Sequence, residues 1–323
     1  MKFYENILET MGRTPLIRLN KIVPKDGPLV LVKAEFLNPG GSVKDRIGVT
    51  MLEDAKNRGL IQNGGTIIEP TSGNTGVGLA MVGVLTGYKM IFTMPDKMSK
   101  EKEQLLGAFG GKVVRTRTDV PPEDPESYYS VAEKLVKETP NAYSPNQYYN
   151  PMNIYAHYKT TGPEIWEDCP EITHFVCGMG TGGTITGAGR FLKEKNSEIK
   201  VIGVDPEGSI YYDQFYGLEG EGARVYKTEG IGEDFIPETI DLNIIDEVIR
   251  VGDKDAYTTA RDLARKEAML VGSSSGSAAF AAIQIARRLD ENAVIVVLFP
   301  DTGRNYLSKL FDDDWMRQNG FLG

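Results

Sequence analysis

Apolar strand-like runs and helix-like runs alternate along almost the whole chain, and the junctions where a strand runs into a helix carry clusters of glycine, serine and threonine. Such alternation constrains the fold more than any other feature, because it predicts parallel sheets wrapped by helices. Strands are expected at 28–36, 66–69, 89–94, 112–116, 174–178, 200–205 and 293–299. Helices are expected at 43–58, 76–85, 99–109, 127–138, 152–168, 184–195, 255–268, 277–289 and 306–311. The strands read as continuous apolar runs, as in Ala293–Phe299, which suggests sheets covered on both faces. Two segments lack periodicity. Residues 120–126 (VPPEDPE) read as an acidic surface loop. Residues 210–233 form a long polar stretch that is either a functional lid or a plain surface excursion.

With 323 residues, two domains or lobes are expected. Glycine is abundant, 36 residues, which suggests many turns or backbone held close to a ligand. The net charge of −9 argues against nucleic acid and anionic membranes as main partners. Two cysteines exclude a disulfide framework. Cys169, His174 and Cys177 lie close together, but Cys177 sits in an apolar strand, so no metal site is expected. The start MKFYENILETMGRTP has no apolar core of a signal peptide, and no run of about 18 apolar residues exists. The expected compartment is the cytoplasm.

Four junctions can carry chemistry. In Asn38–Ile47 (NPGGSVKDRI) a glycine pair meets a helix start with Ser42 as N-cap. Lys44 falls in the first turn, where the positive helix end should lower its pKa and make it a candidate Schiff-base nucleophile. In Glu69–Gly76 (EPTSGNTG) a strand meets a small-residue helix, exposing N–H groups and hydroxyls suited to a carboxylate. Cys177–Gly187 (CGMGTGGTITG) can make a backbone nest for phosphate. The same segment has a rival reading. Gly178, Gly180 and Gly183 fit G-x-G-x-x-G, and Asp205 ends the next strand, as in a dinucleotide site. That reading leaves the first two junctions unexplained. The fourth, Gly272–Ser277 (GSSSGS), puts small hydroxyls at a helix start.

A helix-start lysine, TSGNTG, GTGGT and a serine-rich turn, in that order, resemble the β-family (fold type II) pyridoxal-phosphate enzymes over nearly the whole chain. The match lies in the cysteine synthase/cystathionine β-synthase family. Asp205–Ile210 (DPEGSI), Glu229–Pro237 (EGIGEDFIP) and the tail from Pro300 resemble its cystathionine β-synthase branch more than its sulfhydrylases. The resemblance implies a tryptophan synthase β-like α/β fold, two three-layer α/β/α lobes with pyridoxal 5′-phosphate between them. Residues 1–43 with 149–323 would form the larger, cofactor-binding domain and 44–148 a smaller mobile one.

By that resemblance Lys44 carries the cofactor and acts as catalytic base. Asn74 bonds the cofactor 3′-oxygen, and Gly180, Thr181, Gly182, Gly183 and Thr184 hold its phosphate. Ser274 faces the pyridine nitrogen, where a neutral hydroxyl favours prompt β-elimination. Thr71, Ser72, Gly73, Thr75 and Gln147 grip the substrate carboxylate, with Tyr148 and Gly230 beside them. Glu233 stands where animal relatives are expected to carry tyrosine. Its carboxylate is either a ligand for the ammonium of a second amino acid or a solvated loop charge. The implied reaction condenses L-serine with L-homocysteine to L-cystathionine, and cysteine in place of serine releases hydrogen sulfide. An O-acetylserine-dependent cysteine or cystathionine synthase is the alternative, and an NAD-binding oxidoreductase a distant one. A homodimer is expected. Neither a haem-binding extension nor a C-terminal regulatory domain pair is expected, nor the S-adenosylmethionine response of that pair.

Overall fold

The computed structural model describes every residue except Lys2, Ser72, Pro122 and Glu221. Two sheets organise the chain. The larger has six strands in the order β1-β2-β10-β7-β8-β9: β1 (Leu16–Arg18), β2 (Leu29–Ala34), β7 (His174–Gly178), β8 (Lys200–Pro206), β9 (Glu247–Val251) and β10 (Val294–Phe299). All of its pairings are parallel except the edge pair β1–β2. The smaller sheet is wholly parallel, in the order β5-β4-β3-β6. It comprises β3 (Thr66–Pro70), β4 (Lys89–Pro95), β5 (Lys112–Thr116) and β6 (Ala142–Tyr143).

Helices cover both sheets. Around the smaller lie α1 (Lys44–Asn57), α2 (Asn74–Thr86), α3 (Lys100–Ala108) and α4 (Tyr128–Glu138). The rest follow as α5 (Pro151–Lys159), α6 (Thr161–Asp168), α7 (Gly183–Lys195), α8 (Tyr211–Tyr216), α9 (Asp253–Glu267), α10 (Ser273–Ala286) and α11 (Asp313–Gln318). One apolar cluster packs α9 and α10 on one face of the large sheet, and another packs α6 and α7 on the opposite face. A third fills the small sheet and α2. This is an α/β architecture with two sheets sandwiched by helices, as the alternation predicts.

Several expected elements differ. The helix expected over 152–168 is two helices broken at Thr160. Pro163 causes the break, because it has no N–H to return to the carbonyl of Lys159. The aperiodic stretch 210–233 contains α8, whose Tyr212 ring lies under Arg250 of β9 and against Tyr216. Strand β9 is absent from the sequence reading. Its alternation (EVIRV) is only five residues long, and it forms an edge beside β8. The helix expected at 306–311 is a 3₁₀ turn at Gly303–Tyr306 followed by α11. The stop and restart comes from Asp312, whose side chain accepts the Trp315 N–H at 2.6 Å.

Candidate functional site

The carboxyl ends of β2, β3, β7 and β10 converge, and the loops beyond them supply the candidate residues. Ligands in open α/β sheets are held at this end. Lys44 opens α1, with its N–H donated to Ser42 Oγ at 3.2 Å. The preceding chain is pinned against the end of β10, with Val43 N–H donated to the Pro300 carbonyl (2.8 Å) and Thr302 N–H to the Gly41 carbonyl (3.0 Å). Two residues further on, Arg46 is buried and pairs with Glu35 and Glu164, each at 2.7 Å, while Lys33 reaches Glu164 at 2.8 Å. Removing Arg46 would strand the buried Glu35 carboxylate, so this cluster locks the start of α1 onto β2 and α6. From the other side α2 approaches so closely that a Cβ on Gly48 would lie 2.5 Å from the Gly78 carbonyl carbon.

Lys44 lines two adjoining cavities. Its amine is held below the usual lysine range chiefly by burial, opposed by Cys177, Glu233 and Asp301. The direction matches the sequence expectation, but desolvation rather than the helix end supplies it. Burial likewise pushes the neighbouring Cys177 thiol up to about 12, so it stays a neutral wall.

The smaller cavity is lined by Lys44, Gly180, Thr181, Gly182, Thr184 and Gly230 among others. Gly182 caps α7 with φ +84°, a region that favours glycine. A Cβ there would overlap Ile240, its Cα lying 2.7 Å away. Behind the loop, Asn153 on α5 donates to the Gln147 carbonyl (2.8 Å) and Thr181 Oγ1 (2.9 Å). His157, one turn later, faces Thr184 Oγ1 at 3.1 Å and Thr161 at 2.9 Å. Burial keeps this imidazole neutral. The cavity lining therefore contains N–H groups, hydroxyls and one amine, and no carboxylate. That donor set at a helix N-terminus fits the phosphate of a pyridoxal cofactor.

The larger cavity, about 470 Å³, is lined by Lys44, Gln147, Tyr148, Thr181, Gly230 and Glu233, together with Lys97, Tyr128, Tyr129 and Tyr226. Its size suits a small-molecule site. Tyr128 hydrogen-bonds Tyr129 (2.6 Å) and meets Tyr148 (3.2 Å), and Phe235 packs against Tyr129 and Tyr148. Burial first, then the adjacent Asp234, pushes the Glu233 carboxyl up to about 8.

The remaining candidates lie in the walls. Thr71 Oγ1 accepts the Gly73 N–H at 3.1 Å, and Thr75 donates its hydroxyl to Gln147 Oε1 at 2.6 Å. Thr75 thus orients Gln147. Asn74 donates to Asp301 Oδ2 at 2.8 Å. Ser274 is buried at the start of α10, its Oγ 3.9 Å from where a Cβ on Gly230 would stand. Ser72 lies outside the described residues. Asp205, the acid of the dinucleotide reading, is fully buried and accepts the Tyr212 N–H at 2.9 Å. It is turned into the α8 turn and away from any ribose. Among the described residues no cluster of metal-ligating side chains occurs, and no helix is long and apolar enough to cross a membrane.

Sequence reasoning missed Asn153, His157, Asp301 and Glu69. Glu69 is buried and accepts the N–H groups of Asn146 (2.8 Å) and Gln147 (2.9 Å), fixing the turn that carries Gln147. A signal for the first pair existed: Asn153 and His157 are polar, buried and one turn apart on α5.

A family model described as "Pyridoxal-phosphate dependent enzyme" matches residues 7–301. The chain is 49% identical to the cystathionine beta-synthase of Apis mellifera over 99% of its own length, and spans 64% of that protein. It is 45% identical to a probable cysteine synthase of Bacillus subtilis, over 95% of this chain and 97% of the relative. Among solved structures, an O-acetylserine dependent cystathionine beta-synthase from Helicobacter pylori superimposes with a TM-score of 0.87 at 39% identity, covering 96% of this chain and 99% of the other. A hydrogen sulfide-producing enzyme from Fusobacterium nucleatum gives 0.88 at 36%, covering 94% and 100%.

Proposed function

The chain belongs to the pyridoxal-phosphate dependent enzymes, and from that premise we propose that it catalyses β-replacement on O-acetyl-L-serine with L-homocysteine as the incoming thiol. The observation that carries this reading is one amine, Lys44, facing both a carboxylate-free donor cradle and a cavity sized for an amino acid. Support for the acetylated donor comes from the Helicobacter pylori enzyme, which this chain matches nearly end to end.

When bound, pyridoxal phosphate supplies an electrophilic carbon for amino groups and a conjugated ring that accepts electron density from the substrate Cα. Gly180–Thr184 would hold its phosphate, Asn74 its 3′-oxygen, and Ser274 would face the ring nitrogen. Thr71, Ser72, Gly73 and Gln147 would receive the substrate carboxylate, with Thr75 holding the Gln147 amide in place and Tyr148 and Gly230 closing the sides. Lys44 Nζ, which lines both cavities, would take the proton from the substrate Cα. Burial favours its neutral, basic form. Acetate would leave from Cβ, homocysteine would add there as its thiolate after losing the thiol proton to solvent, and Lys44 would return the proton to Cα. Residues 44–148 would close over the substrate and exclude water. Glu233, in the same cavity, would receive the homocysteine ammonium. With cysteine as donor the same steps expel sulfide.

L-Serine as first substrate is the second reading, favoured by 44–49% identity to proteins named cystathionine beta-synthase. Product analysis with either donor, each with homocysteine or sulfide, separates the readings. O-acetylserine with homocysteine should give cystathionine fastest. Turnover of serine alone moves the assignment to the second reading, and no product from either donor refutes both. The expected homodimer is tested by sedimentation of the holoenzyme.

A further inference from the structure

Asp301 follows β10 directly and is buried beside the candidate cofactor cleft. Its Oδ2 accepts two hydrogen bonds, from Asn74 Nδ2 at 2.8 Å and from the Tyr306 hydroxyl at 2.5 Å. The carboxylate itself has little freedom. Its backbone bridges to Ser42, the Gly272 N–H bonds its carbonyl at 3.2 Å, and the Tyr306 ring would lie 2.7 Å from a Cβ on Gly272. Among the described residues its Oδ1 has no hydrogen-bond partner.

An asparagine amide is two-faced: one end donates and the other accepts. A carboxylate acceptor that cannot move decides which end it meets. Here it takes one Nδ2 hydrogen and leaves the second Nδ2 hydrogen and Oδ1 to face elsewhere. Free to rotate, Asn74 could present its oxygen to an anionic 3′-oxygen, which repels it. Held by Asp301, it presents a hydrogen. We propose that Asp301 is a positioning residue, which fixes the Asn74 amide so that its free N–H is the group offered to the cofactor 3′-oxygen. The inference rests on the reading of Asn74 given above.

Leucine at 301 is nearly isosteric and accepts no hydrogen bond, whereas asparagine keeps an acceptor. Absorbance spectra of the holoenzymes and their pH titrations are the readout. Asp301→Leu should shift the visible band of the bound cofactor as far as Asn74→Ala does, Asp301→Asn should retain the wild-type band, and the double variant Asn74→Ala/Asp301→Leu should shift no further than either single. A wild-type spectrum for Asp301→Leu beside a shifted Asn74→Ala overturns the inference alone, as do fully additive shifts. An unshifted Asn74→Ala removes the Asn74 reading itself. Should Asp301→Leu not fold, the side-chain amide signals of Asn74 in wild-type holoenzyme labelled with ¹⁵N-asparagine decide. Their assignment follows from their loss in Asn74→Ala. Two hydrogen-bonded amide protons support the inference, and one at the position of a free asparagine amide overturns it.

Discussion

Gly183 opens α7 at the mouth of the phosphate cradle, and a methyl group there has nowhere to go. A Cβ at this position would overlap the Asn153 amide, with Nδ2 only 2.8 Å away. In Gly183→Ala, Asn153 must therefore swing aside and give up its bonds to the Gln147 carbonyl and Thr181 Oγ1. Two such buried bonds are worth about 2 kcal/mol together. Alanine returns up to about 1 kcal/mol by its better helix propensity, so the net loss is about 1–2 kcal/mol. Asn153→Ala alone loses the same two bonds, costing about 2 kcal/mol. The double variant cannot lose them twice and keeps the propensity gain of alanine, so its loss should match the about 1–2 kcal/mol of Gly183→Ala. The coupling is then about 2 kcal/mol. Chemical denaturation of the apoproteins, followed by circular dichroism, measures each corner of the cycle. The holo-form should also bind pyridoxal phosphate on the order of tenfold more weakly in Gly183→Ala, since Thr181 loses its anchor. Losses that add to within about 0.5 kcal/mol would refute the claim that Asn153 braces the cradle.

Two further predictions address other walls. Glu233 is protonated below about 8 and attracts an ammonium only when ionised, so KM for homocysteine should fall as pH rises toward that value. Glu233→Gln should abolish that slope and leave KM for sulfide unchanged; an equal slope in the variant removes the proposed role. Gly48→Ala drives a methyl into the Gly78–Leu79 backbone of α2, where neither helix can yield by a side-chain rotation. It should cost at least about 3 kcal/mol, at the upper end of overpacking, and thermal unfolding at wild-type temperature would contradict the close crossing that sets Lys44.

The junction motifs were legible because each is local. NPGGSVKDRI, EPTSGNTG and CGMGTGGTITG each signal a strand end and a helix start within a dozen residues, and α1, α2 and α7 begin within two residues of the expected positions. The bracing behind them was not legible. The contacts of Asn74 with Asp301 span 227 positions and those of Ser99 with Asn305 span 206, and no periodicity encodes such pairings. Lys102 is a similar case. No sequence motif singles it out, and it is buried against Glu229 at 2.9 Å, with Lys309 on the other carboxylate oxygen at 2.8 Å. Thr75 shows the limit in the other direction. Its motif position implied a direct hold on substrate, and only the distance to Gln147 Oε1 assigns its hydroxyl to another side chain.

The most direct measurement is peptide mass mapping of the holoenzyme after borohydride reduction, which makes the lysine–cofactor link permanent. The account predicts the added mass of the reduced pyridoxyl phosphate on the peptide containing Lys44, and none there once an amino-acid substrate has displaced the amine beforehand. The cofactor bound with its label on a different lysine, or on none, would contradict it.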